Sequence, residues 1–255
     1  MAAIDHGKTA ASLELHATPE RLGIGAEGRR RKNEPGPVGE ENVKRTNLAL
    51  VFTLTAIVGL GASHLRADSV IDHWGNVKAP PVPELKPVTV DPKTTALLML
   101  DFIKQLCNEQ HLPHCVQRVP DVKKLLDRAR AAGAMVVYTG TLTPPSEKTD
   151  VVAGVAPTAS EPFVKSFLDK FLNTDLEKML KDKGITTVIV VGQVAQGAVL
   201  TTGSEAAQRG FKVIIAVDGV SADDDYYEQY AAWQLSHAPL LAVRDTLTSI
   251  DMIKF

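Results

Sequence analysis

Apolar and polar positions along this chain sort into short continuous runs and longer segments of helical spacing, one after the other. Thr95 to Leu100 is an unbroken apolar run, which in a parallel sheet marks a strand covered on both faces. From Asp121 to Ala132 the apolar residues Val122, Leu125, Leu126 and Ala129 share one helical face, and Gly133 supplies the stop. A strand from Ala134 to Gly140 follows, then a polar loop through Pro144 and Pro145. Thr174 is placed to cap a helix that buries Leu176, Met179 and Leu180 and ends at Gly184. Thr186 to Gly192 reads as a buried strand, Gly197 to Arg209 as a helix stopped by Gly210, and Phe211 to Val217 as another strand ending at Asp218 and Gly219. Tyr226 to His237 is a last helix, closed by Pro239. Strands alternating with crossover helices predict an α/β fold of three layers, α/β/α, around a central parallel sheet.

The first ninety residues follow other rules. Residues 1–45 contain the basic run Arg29-Arg30-Arg31-Lys32, scattered Glu and Gly, and no aromatic residue, so they cannot bury enough apolar surface to offset ordering. They read as a disordered basic tail. Residues 46–63 are uncharged and mostly apolar, preceded by Lys44-Arg45 and ending in the small residues Gly61-Ala62-Ser63. That pattern predicts export, through a signal peptide or a membrane anchor, with the folded domain outside the cytoplasm, in the periplasm or anchored at an inner membrane. Prolines at 80, 81, 83 and 87 make 64–91 an extended linker, and the domain is assigned to 92–255.

Composition narrows the functions open to it. The 44% hydrophobic content of the 255 residues is ordinary for a globular protein, and a formal net charge of -2 gives nothing to attract nucleic acid. The two cysteines, Cys107 and Cys115, are eight residues apart and able to pair in an oxidising compartment. His111 and His114 lie near them, but the spacing matches no common zinc site, and neither a metal nor a cofactor is expected. Tyr226, Tyr227, Tyr230 and Trp233 form an aromatic stripe suited to packing against a neighbour or a second copy of the chain in a homo-oligomer.

Three blocks carry a family resemblance. Val191-Gly192-Gln193-Val194-Ala195-Gln196-Gly197-Ala198-Val199, continuing to Ala206, Gly210-Phe211 and Asp218, resembles the signature of the isochorismatase-like hydrolases, also called the cysteine hydrolase superfamily. Leu97 to Asp101 resembles the first strand with its terminal catalytic aspartate, and Lys165, followed by Phe171, Thr174 and Leu176, resembles the segment of the catalytic lysine. The resemblance implies a Rossmann-type topology, with the Lys165 ammonium beside Asp101. It also implies a cis peptide between Gln193 and Val194, and an anion-binding nook made by the N–H groups of Val194 and Ala198. Glu205 and Gln196 are further candidates for facing the pocket.

The chain departs from the pattern at one decisive position. Ala198 stands where most of the family has its nucleophilic cysteine, and a methyl group can neither attack a carbonyl nor hold an acyl group. Isochorismatases that lack the cysteine cleave a vinyl ether by acid catalysis, and retention of an aspartate and a lysine points to that kind of chemistry. Three readings stay open. The chain is a hydrolase of a small organic substrate using Asp101 and Lys165, a non-catalytic binder of small molecules, or an amidase whose cysteine has been replaced.

Overall fold

The computed structural model describes residues 67–255, so the 1–45 tail and the apolar 46–63 segment lie outside the described residues. The order is a short helix α1 (Val70–His73), β1 (Val88–Thr89), β2 (Thr95–Leu100), α2 (Pro113–Ala132), β3 (Met135–Thr141) and β4 (Phe163–Ser166). It continues with α3 (Leu176–Asp182), β5 (Thr187–Gln193), α4 (Leu200–Gln208), β6 (Lys212–Ser221), α5 (Asp225–His237), β7 (Asp245–Thr248) and β8 (Ile253–Lys254). Six strands form one parallel sheet in the order β4-β3-β2-β5-β6-β7, and β1 pairs with β8 in a second, two-stranded one. No described helix is long and apolar enough to cross a membrane.

The alternation of side chains along each strand builds two cores. Leu98, Leu100, Val188, Val190, Val213 and Ile215 face one way, against Leu176 and Leu180 of α3, Ala206 of α4, and Ala231 and Leu235 of α5. Leu97, Met99, Val136, Tyr138, Ile189 and Ile214 face the other way, against Val122, Leu125, Leu126 and Ala129 of α2. The sheet is thus sandwiched between two helical layers, and both faces of β2 are buried along its whole length.

Some elements differ from the sequence reading. α2 begins at Pro113, not at residue 121, because Pro113 suits the first helical turn and Pro120 is carried inside the helix instead of marking its start. Cys115 in its first turn is joined to Cys107 by a disulfide, which ties the loop after β2 to the helix. β6 runs on through Asp218 and Gly219 to Ser221, with a register irregularity opposite Val190 to Gly192. Gly192 there has φ 131°, and a Cβ would lie 2.2 Å from the main-chain oxygen of Leu100, so no side chain fits where β5 presses on β2. The end of the proline-rich stretch is pinned to the domain, since Lys86 N–H donates to Leu247 O over 2.9 Å.

At the far edge of the sheet, both carboxylate oxygens of Asp245 are buried without a partner, and burial pushes this group up to about 7. Its ordinary value in an unfolded chain is about 4, so the native state holds the proton more tightly. The group therefore costs nothing below about pH 4 and destabilises progressively as pH rises from there through about 7. Asp245→Asn should raise the melting temperature at pH 8 by a few degrees, about 1 kcal/mol once partial exposure of the side chain is discounted, and leave it unchanged at pH 4. Equal shifts at both pH values would mean the carboxylate is not the cause.

Candidate active site

The chain reverses its direction of travel across the sheet between β2 and β5, and at such a switch point the loops leaving the two carboxyl ends part to form a crevice. Asp101 sits there, the first residue past β2, with φ 56°, a left-handed conformation that aspartate tolerates better than most side chains. It is 3% exposed. Its Oδ1 accepts from Thr139 Oγ1 of β3 at 2.6 Å, and the same threonine oxygen accepts from the Asp101 N–H at 3.1 Å. Its main-chain oxygen accepts from Ile103 N–H at 2.7 Å and from Gln193 Nε2.

The cation facing Asp101 is Lys170. Its Nζ lies 2.7 Å from Asp101 Oδ2 and also donates to Phe167 O at 2.7 Å and Gly140 O at 3.3 Å, so its three hydrogens are all engaged. The side chain is completely buried. Its backbone is braced as well, by Lys170 N–H donating to Thr202 Oγ1 of α4 and by Thr174 Oγ1 donating to Lys170 O. Burial raises Asp101 above the usual carboxylate range, while the Lys170 charge and the hydrogen bonds from Lys170 and Thr139 pull it partly back. The result is a carboxyl group able to carry a proton to a substrate and to be left as an anion against a fixed ammonium.

Lys165 does not belong to this pair, contrary to the sequence reading. The stretch read as a loop is strand β4, where Val164 and Ser166 point inward and Lys165, between them, points out. Its ammonium meets Glu147 at 2.7 Å on the surface. Lys170 lies five residues farther on, where the chain turns back over the carboxyl edge of the sheet. The alternation of Phe163 to Ser166 would have shown that Lys165 faces solvent, but a four-residue run after Glu161-Pro162 gives too little pattern to be read as a strand.

The peptide between Gln193 and Val194 is cis, and a π-helical turn, Ala195–Val199, leads from β5 into α4. This turn sets Val194 and Ala198 into the wall of a cavity of about 190 Å³ that also exposes Asp101 and Gln193. Its other walls are largely apolar, with Leu106, Leu142, Phe167 and Leu168 around it. Leu106 is the residue before Cys107, so the disulfide holds one wall in place. Glu205 is not on the cavity; it pairs with Arg209 one turn along α4. Gln196 does not line the cavity either.

A larger cavity, about 420 Å³, lies between β6 and α5. Its Arg118 and Glu228 are bonded to each other, and His114 Nδ1 and the Ala222 N–H also engage Glu228, so these charges tie α2 to α5. Asp101, paired behind with Lys170, lines the smaller cavity. His114, Asp225 and Glu228 bring potential ligand atoms within 4.8 Å of one another, the one such group among the described residues, but Glu228 is already occupied by these contacts. Tyr226, Tyr227 and Tyr230 are exposed within this chain, and α5 uses Ala231 and Leu235 to pack.

Comparison with known proteins agrees with this architecture. Residues 95–246, more than half of the chain, match the family model described as the isochorismatase domain. A secreted isochorismatase effector, Isc1, of Verticillium dahliae is 31% identical over 114 residues, covering 41% of this chain and 60% of that protein. The chain thus matches less than two thirds of that relative's length. A maleamate amidohydrolase of Pseudomonas putida is 28% identical over 146 residues, covering 47% of this chain and 68% of that protein. Among solved structures, a cysteine hydrolase from Pseudomonas syringae pv. phaseolicola superposes with a TM-score of 0.56 at 24% identity, over 66% of this chain and 94% of its own. N-carbamoylsarcosine amidase from Thermoplasma acidophilum gives 0.53 at 20% identity, over 62% and 97%. By its domain match, its six-stranded parallel sheet and its three layers, the chain belongs to the isochorismatase family of hydrolases.

Proposed function

We propose that this protein hydrolyses a small organic substrate by acid-base catalysis through Asp101 and Lys170, with no covalent enzyme intermediate. The observation that carries the reading is a buried Asp101–Lys170 pair, 2.7 Å apart, opening on a cavity whose nucleophile position is Ala198. Asp101 gives its proton to the terminal alkene carbon of a vinyl ether, leaving an oxocarbenium ion, and Lys170 stabilises the carboxylate left behind. Water adds to that cation and returns a proton to Asp101, and the adduct breaks its ether C–O bond to release an alcohol and a carbonyl compound, so the enzyme ends as it began. The backbone N–H groups of Val194 and Ala198 supply an anion-binding nook that holds a polar or anionic group of the substrate in place. A vinyl ether suits this chemistry better than an amide, because its cleavage starts with protonation and needs no attacking thiolate.

Export belongs to the same proposal. It is supported by the apolar 46–63 segment after Lys44-Arg45, by a disulfide that suits an oxidising compartment, and by a relative named as secreted. The substrate is then one met outside the cytoplasm. Self-association through the face of Tyr226, Tyr227 and Tyr230 is part of the picture. A second reading, a binding protein that keeps the pocket without turnover, is favoured by Ala198 alone.

A panel of small vinyl ethers, esters and amides separates the two. The expected result is hydrolysis of at least one vinyl ether, with intact-protein mass spectrometry during turnover showing no adduct. An acyl adduct would sink the acid-base mechanism, and binding without product across the whole panel would leave the binding protein.

A further inference from the structure

Large apolar side chains stand in solvent at the mouth of the Asp101 cavity. Leu142, Phe167 and Leu168 all line it and are 43%, 60% and 53% exposed. A single exposed leucine on a surface is ordinary, whereas three such residues around one opening mark a place where apolar surface is meant to be covered.

Their placement follows from the sheet. Thr141 pairs with Ser166 in the β3–β4 ladder, so Leu142 and Phe167, the next residues along, leave the same carboxyl edge side by side. Leu168 then reaches the turn after β5, where a Cβ on Gly197 would lie 3.3 Å from its Cδ2, and the missing side chain leaves it room. The main chain beneath is fixed: Phe167 O accepts from Lys170 Nζ at 2.7 Å and Leu168 O from Thr202 Oγ1 at 3.2 Å. Beside Leu142, Thr141 Oγ1 donates to Pro144 O, and Leu142 bridges to Pro145. The same loop that sends Lys170 into the core thus holds Phe167 and Leu168 outward. A ligand that covers them removes apolar area from water without having to order the loop first.

The chemistry of the opening is one-sided. Asp101 is the one ionisable side chain among the described residues that lines the cavity, and it is already paired with Lys170. A charged group at the outer end of a ligand would meet hydrocarbon and no counter-charge. A ligand is favoured over a second copy of the chain as the occupant, because the rim is continuous with the wall that holds Asp101.

We propose that Leu142, Phe167 and Leu168 form a subsite for a hydrocarbon group of the substrate, alkyl or aryl, on the side away from the reacting atoms, and that they set specificity by its length. The inference rests on this cavity being the substrate site, as proposed above, but it is read by binding alone.

Saturated ethers test it without turnover. In NMR titrations of the full chain with ethyl methyl, butyl methyl and hexyl methyl ether, affinity should rise about twofold to threefold per added methylene, somewhat less than a fully buried one gives. Replacing both Phe167→Ser and Leu168→Ser should cut that gain to less than about 1.5-fold per methylene, since the partner surface is gone. Val243→Ser removes another exposed apolar side chain that does not line the cavity, and should leave the series as steep as in the parent.

A flat series in the parent protein, or a series equally steep in the double variant, overturns the proposal. Sedimentation that shows the parent self-associating and the double variant monomeric, with equal affinities for the ethers, overturns it in favour of a second copy on the rim. If the double variant does not fold, Leu142→Ser is read in the same way. A steep series with no vinyl ether hydrolysed leaves this inference standing for a binding protein, whereas hydrolysis of ethyl and hexyl vinyl ether with equal kcat/KM removes it and leaves the hydrolase.

Discussion

Asp101→Asn should lower turnover of whichever substrate the panel identifies by about 10²- to 10⁴-fold, the usual contribution of a positioned proton donor. The amide has the shape of the carboxyl group, and its oxygen can face Lys170 while its NH2 faces Thr139, so the cavity keeps its walls. What it cannot do is release a proton. The variant also leaves the Lys170 charge without a counter-charge in a buried place, so its stability will fall and rates must be read well below its melting temperature. A variant as fast as the parent, with its fold intact, would make Asp101 structural and overturn the acid-base mechanism.

Lys170→Met should cost about 3–5 kcal/mol of folding stability, because it strands the Asp101 carboxylate in the core, whereas Lys165→Met should change stability by less than about 0.5 kcal/mol. The contrast follows from burial: Lys170 is 0% exposed, and the side chains of Lys165 and Glu147 are 36% and 69% exposed, where ion pairs are worth little. The pH dependence has a definite sign. Without Lys170 the carboxyl group of Asp101 rises further, its neutral form fits the core and its anion does not, so the loss is smaller at pH 5 than at pH 8. Urea melts of both variants at the two pH values read this directly. Equal, small losses for both lysines would remove Lys170 from the centre of the site.

These two lysines also show where the sequence could and could not be read. The central strands were legible because both their faces are buried, and continuous runs such as Thr95 to Leu100 and Thr187 to Val191 admit few other readings. Asp101, Gln193, Val194 and Ala198 were placed because they end or follow those strands. Peripheral elements were not. β4 and β7 have four residues each, and their patterns are too short to stand out from loop. A resemblance aligned to a loop carries no sense of which side chains point inward, so it matched Lys165, though the lysine that turns into the core is Lys170, five residues later and next to Phe171 of the same block. The start of α2 was hidden in the same way, since a proline inside a helix looks on paper like its boundary.

The small clasp at the margin of the domain has a mechanical meaning. β1 and β8 lie side by side in the same direction, Val88 beside Ile253 and Thr89 beside Lys254, and Val90 N–H donates to Lys254 O. Arg128 of α2 holds β8 from behind through the main-chain oxygens of Ile250 and Ile253. Tension between the chain before Val88 and its final residue would therefore pull the two strands along their own axes, so that their hydrogen bonds resist together in shear and do not open one by one. Trimming Ile253 to Phe255 would undo this clasp, leave β1 without a partner and uncover the core that Ile253 closes.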